Sequence, residues 1–117
     1  MVHLVTAVIR PLKIDDVVLE LREVGIEGMT ITNVCGFGHE GGLSETYRGS
    51  EYHRDYVPKV KLEILCDTFQ AERIARLIAT TAATGRRGDG RVWISEVASV
   101  IHIRSDVSPT APSGAPA

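Results

Sequence analysis

Apolar and polar positions recur along this chain in two rhythms, and the changes of rhythm divide it into elements. His3 to Ile9 is an almost unbroken apolar run rich in β-branched residues, as expected for a buried strand, and Pro11 stops it. From Lys13 onward, Val17, Val18, Leu21 and Val24 follow a helical spacing, and Gly25 and Gly28 punctuate its end. Met29 to Cys35 predicts a second strand. Lys59 to Cys66 predicts a third with period two: Val60, Leu62 and Ile64 share one face, and Lys59, Lys61 and Glu63 the other. Asp67 then has the character of an N-cap, with Gln70 completing a capping box. Ile74, Leu77, Ile78 and Thr81 continue at helical spacing, Ala71, Ala75 and Ala82 allow close approach to a sheet, and Gly85 ends the run. Val92–Ile94 and Val100–Ile103 give the last strand signals.

The order β-α-β, long loop, β-α-β, plus a short extra strand, predicts an α+β fold. Specifically, it predicts a ferredoxin-like βαββαβ sandwich with both helices on one face of an antiparallel sheet. In that arrangement Cys35 and Cys66 sit at opposite ends of a strand pair, about eight residues apart at ~3.3 Å each, too far to bond.

Composition narrows the setting. A chain of 117 residues suits a single core, and we expect one domain over residues 1–104 with a disordered Pro-, Ser- and Ala-rich tail over 105–117. The formal net charge of −2 gives no bulk attraction to nucleic acid or to an anionic membrane. No apolar run approaches the ~20 residues of a membrane span, and no signal-peptide pattern opens the chain, so membrane insertion is not expected and a cytoplasmic location is.

Two glycine clusters carry the candidate chemistry. Gly36-Phe37-Gly38-His39-Glu40-Gly41-Gly42 matches G-x-G-x-x-G, which marks a dinucleotide site only where it follows a strand and opens a helix. After Gly42 no helical period follows, only a polar, aperiodic loop, so the dinucleotide motif fails on its own terms. That loop holds all three tyrosines, Tyr47, Tyr52 and Tyr56. Aromatic rings on a long loop suit partner contact, although packing of the loop base is the plainer alternative. The second cluster, Thr84-Gly85-Arg86-Arg87-Gly88-Asp89-Gly90-Arg91, joins glycines that admit an anion to backbone N–H groups with arginines that fork onto phosphate. It lacks the Walker signature. By itself it reads better as a helix stop followed by a basic turn; alongside Gly36-Phe37-Gly38 and the basic Lys59, His102 and Arg104, the phosphate reading overtakes that one.

Taken with Val5–Pro11, Gly28-Met29-Thr30, Gly36-Phe37-Gly38 and Pro58–Lys61, the runs Tyr47-Arg48-Gly49-Ser50-Glu51-Tyr52 and Thr84–Gly90 resemble the PII nitrogen-regulatory signal-transduction proteins. The resemblance covers residues 3 to 104. It implies a homotrimer holding ATP or ADP in the clefts between subunits. A T-loop (about 38–56) would dock onto a transporter, of ammonium or another solute, or onto a metabolic enzyme; a B-loop (about 84–90) would cradle phosphates. By matching position, Thr30 and the backbone around Leu65 would meet adenine, with Glu63 close by. Gly36 and Phe37 would lead into Gly38, which with Gly88, Asp89, Gly90 and Arg91 would line the phosphates. His102 and Arg104 would reach in from a neighbouring subunit. Lys59 would serve 2-oxoglutarate or a terminal phosphate. Tyr47, Arg48, Tyr52 and Tyr56 would contact the partner, and Tyr52 or Ser50 matches a position modified in some members.

The chain also departs from that pattern. Glu40 stands where a glutamine helps hold Mg²⁺ with ATP and 2-oxoglutarate; a carboxylate is a good hard-metal ligand, yet it adds negative charge beside a dianion. His39 and Gly41 replace residues that are usually basic. His102 replaces an arginine, and imidazole offers fewer donors and titrates near neutrality. Nitrogen and carbon sensing therefore stands beside a divergent PII-like adaptor that binds nucleotide but answers another metabolite. Two other classes fit less well. A small phosphohydrolase on the same fold lacks a nucleophile–base pair, and an RNA-binding sheet lacks aromatic central strands.

Overall fold

The computed structural model describes residues 1–37, 44–47, 50–53 and 56–103, the two short segments through their strand pairing alone. In chain order come β1 (Val2–Ile9), a 3₁₀ turn (Pro11–Lys13), α1 (Ile14–Glu23) and β2 (Thr30–Phe37). There follow β3 (Ser44–Tyr47), β4 (Ser50–His53), β5 (Tyr56–Asp67), α2 (Thr68–Ala82) and β6 (Gly90–Val97). The main sheet has the order β2-β5-β1-β6, antiparallel throughout, as the ferredoxin-like expectation required.

The helices cover one face only. Val5, Ala7 and Ile9 of β1 and Leu62, Ile64 and Cys66 of β5 are buried against Val17 and Leu21 of α1 and Ala71, Ile74, Ile78 and Ala82 of α2. The alternate residues point to the open face, because successive side chains in a strand take opposite sides. There Thr30 stands opposite Glu63, Glu63 opposite Thr6, and Thr6 opposite Trp93, so one row crosses all four strands.

Two helix ends have an identifiable closure. At the end of α1 the Gly25 N–H donates to Arg22 O (3.0 Å) and the Ile26 N–H to Leu21 O (2.9 Å), the paired bonds of a Schellman stop. Gly25 sits at φ +92°, where a Cβ would be strained. Asp67 is the N-cap of α2, but its side chain makes no capping bond, which corrects the capping-box expectation. Instead the Met1 carbonyl accepts from the Thr68 N–H and the Thr68 hydroxyl, both at 3.2 Å. Asp67 pairs with Val2 in the sheet, so Met1 lies within reach.

Three further expectations are corrected. The loop after β2 is not without structure: Ser44↔His53 through Tyr47↔Ser50 form an antiparallel hairpin. The signal was a two-residue Arg48-Gly49 connection between Thr/Tyr-containing runs, a hairpin spacing rather than a helical one. Val100–Ile103 forms no strand; Ile101 and Ile103 are 87% and 96% exposed, and β-branched residues make a strand only when a neighbour supplies hydrogen bonds. Helix α2 ends at Ala82, before Gly85. Both cysteines are free, Cys35 exposed and Cys66 buried; Cys35 pairs with Pro58, eight residues along β5 from Cys66.

Candidate functional site

Where β1 and β2 end and β5 and β6 begin, the sheet opens into a cleft of about 540 Å³. Val8, Arg91 and Trp93 contribute from the open face, Lys59 from β5, Phe37 from the end of β2, and Arg86 to Gly90 from the loop between α2 and β6. Among the described residues, the cleft thus holds the cations of Lys59, Arg86, Arg87 and Arg91 against one carboxylate, that of Asp89. A pocket with this donor set suits a multiply charged anion.

Lys59 was expected on the polar face of its strand, and it does lie on the open face, yet it is only 3% exposed. The loop lies over it, and its Nζ donates to the Gly88 carbonyl. A buried ammonium must be hydrogen-bonded to be tolerated, and this contact draws the loop onto the sheet.

Asp89 organises the loop from within. Its carboxylate accepts from the Thr84 N–H (2.7 Å), the Gly85 N–H (3.1 Å), the Thr84 hydroxyl and Arg10 Nε (2.9 Å). The Thr84 hydroxyl, then the Thr84 backbone, Arg10 and Gly85, hold this carboxyl far below the usual carboxylate range. The Thr84 oxygen also accepts from the Arg86 N–H at 3.2 Å. Arg10 reaches the loop a second time, donating from Nη2 to Arg87 O at 2.7 Å. Gly90 closes the loop against β1: an added Cβ would lie 1.9 Å from Val8 O, and φ is +110°.

Of the residues singled out from sequence, Phe37, Lys59, Gly88, Asp89, Gly90 and Arg91 come together here. Gly36 precedes Phe37 on β2. Tyr56 packs its ring on Phe37 at 5.2 Å between centroids, at the rim. Thr30, Glu63 and Leu65 share the open face but do not line the cleft. His102 follows the end of β6 opposite to Gly90, away from the cleft of its own chain. Gly38, Glu40, Arg48 and Arg104 lie outside the described residues, as does the 105–117 tail. Tyr47, Ser50 and Tyr52 belong to the β3–β4 hairpin by their backbone alone. Sequence reasoning missed Arg10, Val8 and Trp93, and it named Thr84 only as the start of the second glycine cluster, without a role. Val8 had no cue beyond its place in the first apolar run, three residues before the strand-stopping Pro11, and nothing in the local pattern joins Arg10 to a loop 79 residues on.

Among the described residues, no group of three or more His, Cys, Asp or Glu side chains converges for a metal ion, and no helix is long and apolar enough to cross a membrane.

A family model described as "Nitrogen regulatory protein P-II" matches residues 2–107. The chain is 48% identical over 101 residues to "Nitrogen regulatory protein P-II 1" of Escherichia coli strain K12, covering 86% of this chain and 90% of that relative. It is 46% identical to "Nitrogen regulatory protein P-II" of Pasteurella multocida and 45% identical to that of Rhizobium meliloti, with the same coverage. These relatives are named as regulatory proteins rather than as enzymes.

Proposed function

This chain belongs to the nitrogen regulatory protein P-II family, and from that membership we propose a trimeric signal-transduction protein whose clefts bind ATP and ADP. Residues 1–104 form its one domain, and the segment 38–56 carries the signal to a transporter or a metabolic enzyme. The observation that supports this reading is the cleft itself: Lys59, Arg86, Arg87 and Arg91 surround a loop whose only carboxylate is already paired with Arg10. Such a wall favours a polyphosphate over a neutral metabolite.

In this reading the phosphates rest on Gly88, Gly90 and Arg91, with Lys59 beside them, and Gly38 completes the cradle. Adenine meets Thr30, Glu63 and the Leu65 backbone, which share the open face with the cleft. His102 follows the far end of β6 and does not line the cleft of its own chain, so any part it takes at the phosphates, with Arg104, falls to another copy of the chain. That division of labour makes the trimer necessary for a complete site. Glu40 would be the protein ligand of a Mg²⁺ ion, whose charge would offset that of the phosphates and of 2-oxoglutarate.

A second reading keeps the nucleotide and drops 2-oxoglutarate. Glu40 in place of glutamine and Gly41 in place of a basic residue favour it, since both remove attraction for a dianion.

Titration calorimetry of ATP, ADP and AMP, each with and without 2-oxoglutarate and Mg²⁺, separates the two. Binding of 2-oxoglutarate only beside Mg²⁺ and ATP supports the nitrogen-status sensor. Nucleotide binding without 2-oxoglutarate under any condition supports the adaptor, and absence of nucleotide binding refutes both.

A further inference from the structure

We infer that Arg10 is a positioning residue of the cleft: it holds the loop 84–90 in its anion-receiving shape and cancels the Asp89 charge on the cleft wall. This deepens, and rests on, the reading of the cleft as a phosphate site. Arg10 itself does not line the cleft.

Its own backbone is well fixed. Arg10 is extended, at φ −66° and ψ 138°, between the last residue of β1 and a turn opened by Pro11. Its carbonyl accepts from the Lys13 N–H at 3.0 Å. From that base the guanidinium makes two different contacts on the loop, Nε to Asp89 and Nη2 to the Arg87 carbonyl. Both members of the Arg10–Asp89 pair are largely shielded, with side chains 26% and 23% exposed.

The two contacts do different work. Asp89 also accepts from Thr84 and Gly85, so the inner knot of the loop has bonds of its own besides the one from Arg10. Without Arg10, however, the carboxylate would leave a negative charge among the groups that receive the anion. The Arg87 carbonyl would also lose the donor that sets the direction of the chain between Arg86 and Gly88. Only a planar guanidinium can serve a carboxylate and a carbonyl from separate nitrogens at once; a lysine supplies a single point charge.

The test uses the full chain with R10Q, R10K, D89N and the double variant R10Q/D89N. Hydrogen exchange of the loop amides is read without ligand, and affinity is read for inorganic tripolyphosphate and for ATP. R10Q should speed exchange of the 84–88 amides and weaken tripolyphosphate binding, each roughly tenfold, the scale of a lost charge-assisted bond. Amides of β1 and β5 should keep their protection, which separates the effect from unfolding. R10K should recover affinity more than exchange protection. In the D89N background the R10Q change should weaken binding by no more than about threefold, because contacts that act through one another are not additive.

Full multiplication of the two losses would mean that Arg10 touches the anion itself, and would overturn the inference. Unchanged exchange at 84–88 in R10Q would overturn it as well. If the wild-type chain bound neither tripolyphosphate nor nucleotide, the proposed function would fall, while the exchange comparison would still decide whether Arg10 holds the loop.

Discussion

Replacing Gly90 by alanine would set a methyl group against a main-chain carbonyl. The added Cβ would lie 1.9 Å from Val8 O and 2.9 Å from the Val8 carbonyl carbon, where real Cβ contacts do not fall below 3.0 Å. Backbone cannot rotate aside as a side chain can, so β6 must retreat from β1 by about 1 Å, and the Ile9–Gly90 end of their pairing must open. The left-handed φ of +110° adds strain of about 1–3 kcal/mol, and the weakened ladder adds about 0.5–1.5 kcal/mol for each hydrogen bond lost. A total of about 3 kcal/mol would lower Tm by roughly 10 °C in a chain of this size. Gly25→Ala is the control: its φ is +92°, yet nothing lies within 4 Å of its added Cβ, so strain acts there without a clash. Thermal melts at one fixed protein concentration should place G90A well below G25A. Melting within about 2 °C of each other would refute the close approach of β6 to Val8.

The remaining expectations concern the core, the loop and the surface. Ile64→Ala removes a fully buried side chain between sheet and helices and should cost about 2–5 kcal/mol in denaturant melts, with the cavity adding to the lost transfer energy. Because the Asp89 carboxyl is held below its unfolded value, the stability it adds is complete above roughly pH 4 and is lost only as pH falls through its depressed folded value. The Gly85 amide resonance reports the carboxyl of the folded state and should hold steady through pH 4, moving only well below the ordinary aspartate range; a midpoint at the ordinary value near 3.9 would contradict the geometry. Glu72→Ala breaks an exposed i,i+4 pair with Arg76 and should change stability by less than about 0.5 kcal/mol in the same melts.

The sheet and both helices were legible because their apolar positions repeat with a period set by local geometry. Val60, Leu62 and Ile64 alternate, and all three are buried. Lys59 shows the limit of such patterns: its place on the polar face was correct, but its burial comes from a loop that meets it only after the chain has folded. The Arg10–Asp89 pair is of the same kind, joining the first strand to the last loop. Asp67 is the N-cap of α2, as its sequence position indicated, but its side chain makes no capping bond, and the acceptor at this helix start is the Met1 carbonyl, which no local motif could indicate. The hairpin within the long loop was missed through a search for helical period where Thr46, Tyr47 and Tyr52 carry strand character. Glycine spacing identified the loop 84–90, whereas the side chains that fix its shape come from elsewhere.

The unequal burial of the two cysteines has a practical consequence. Burial, reinforced by Asp67, raises the Cys66 thiol above its ordinary pKa and keeps it from alkylating reagents, whereas Cys35 stands exposed on β2, two residues before the cleft-lining Phe37. A maleimide dye would therefore mark each chain once, on β2 beside the cleft, with no need to engineer a cysteine-free background.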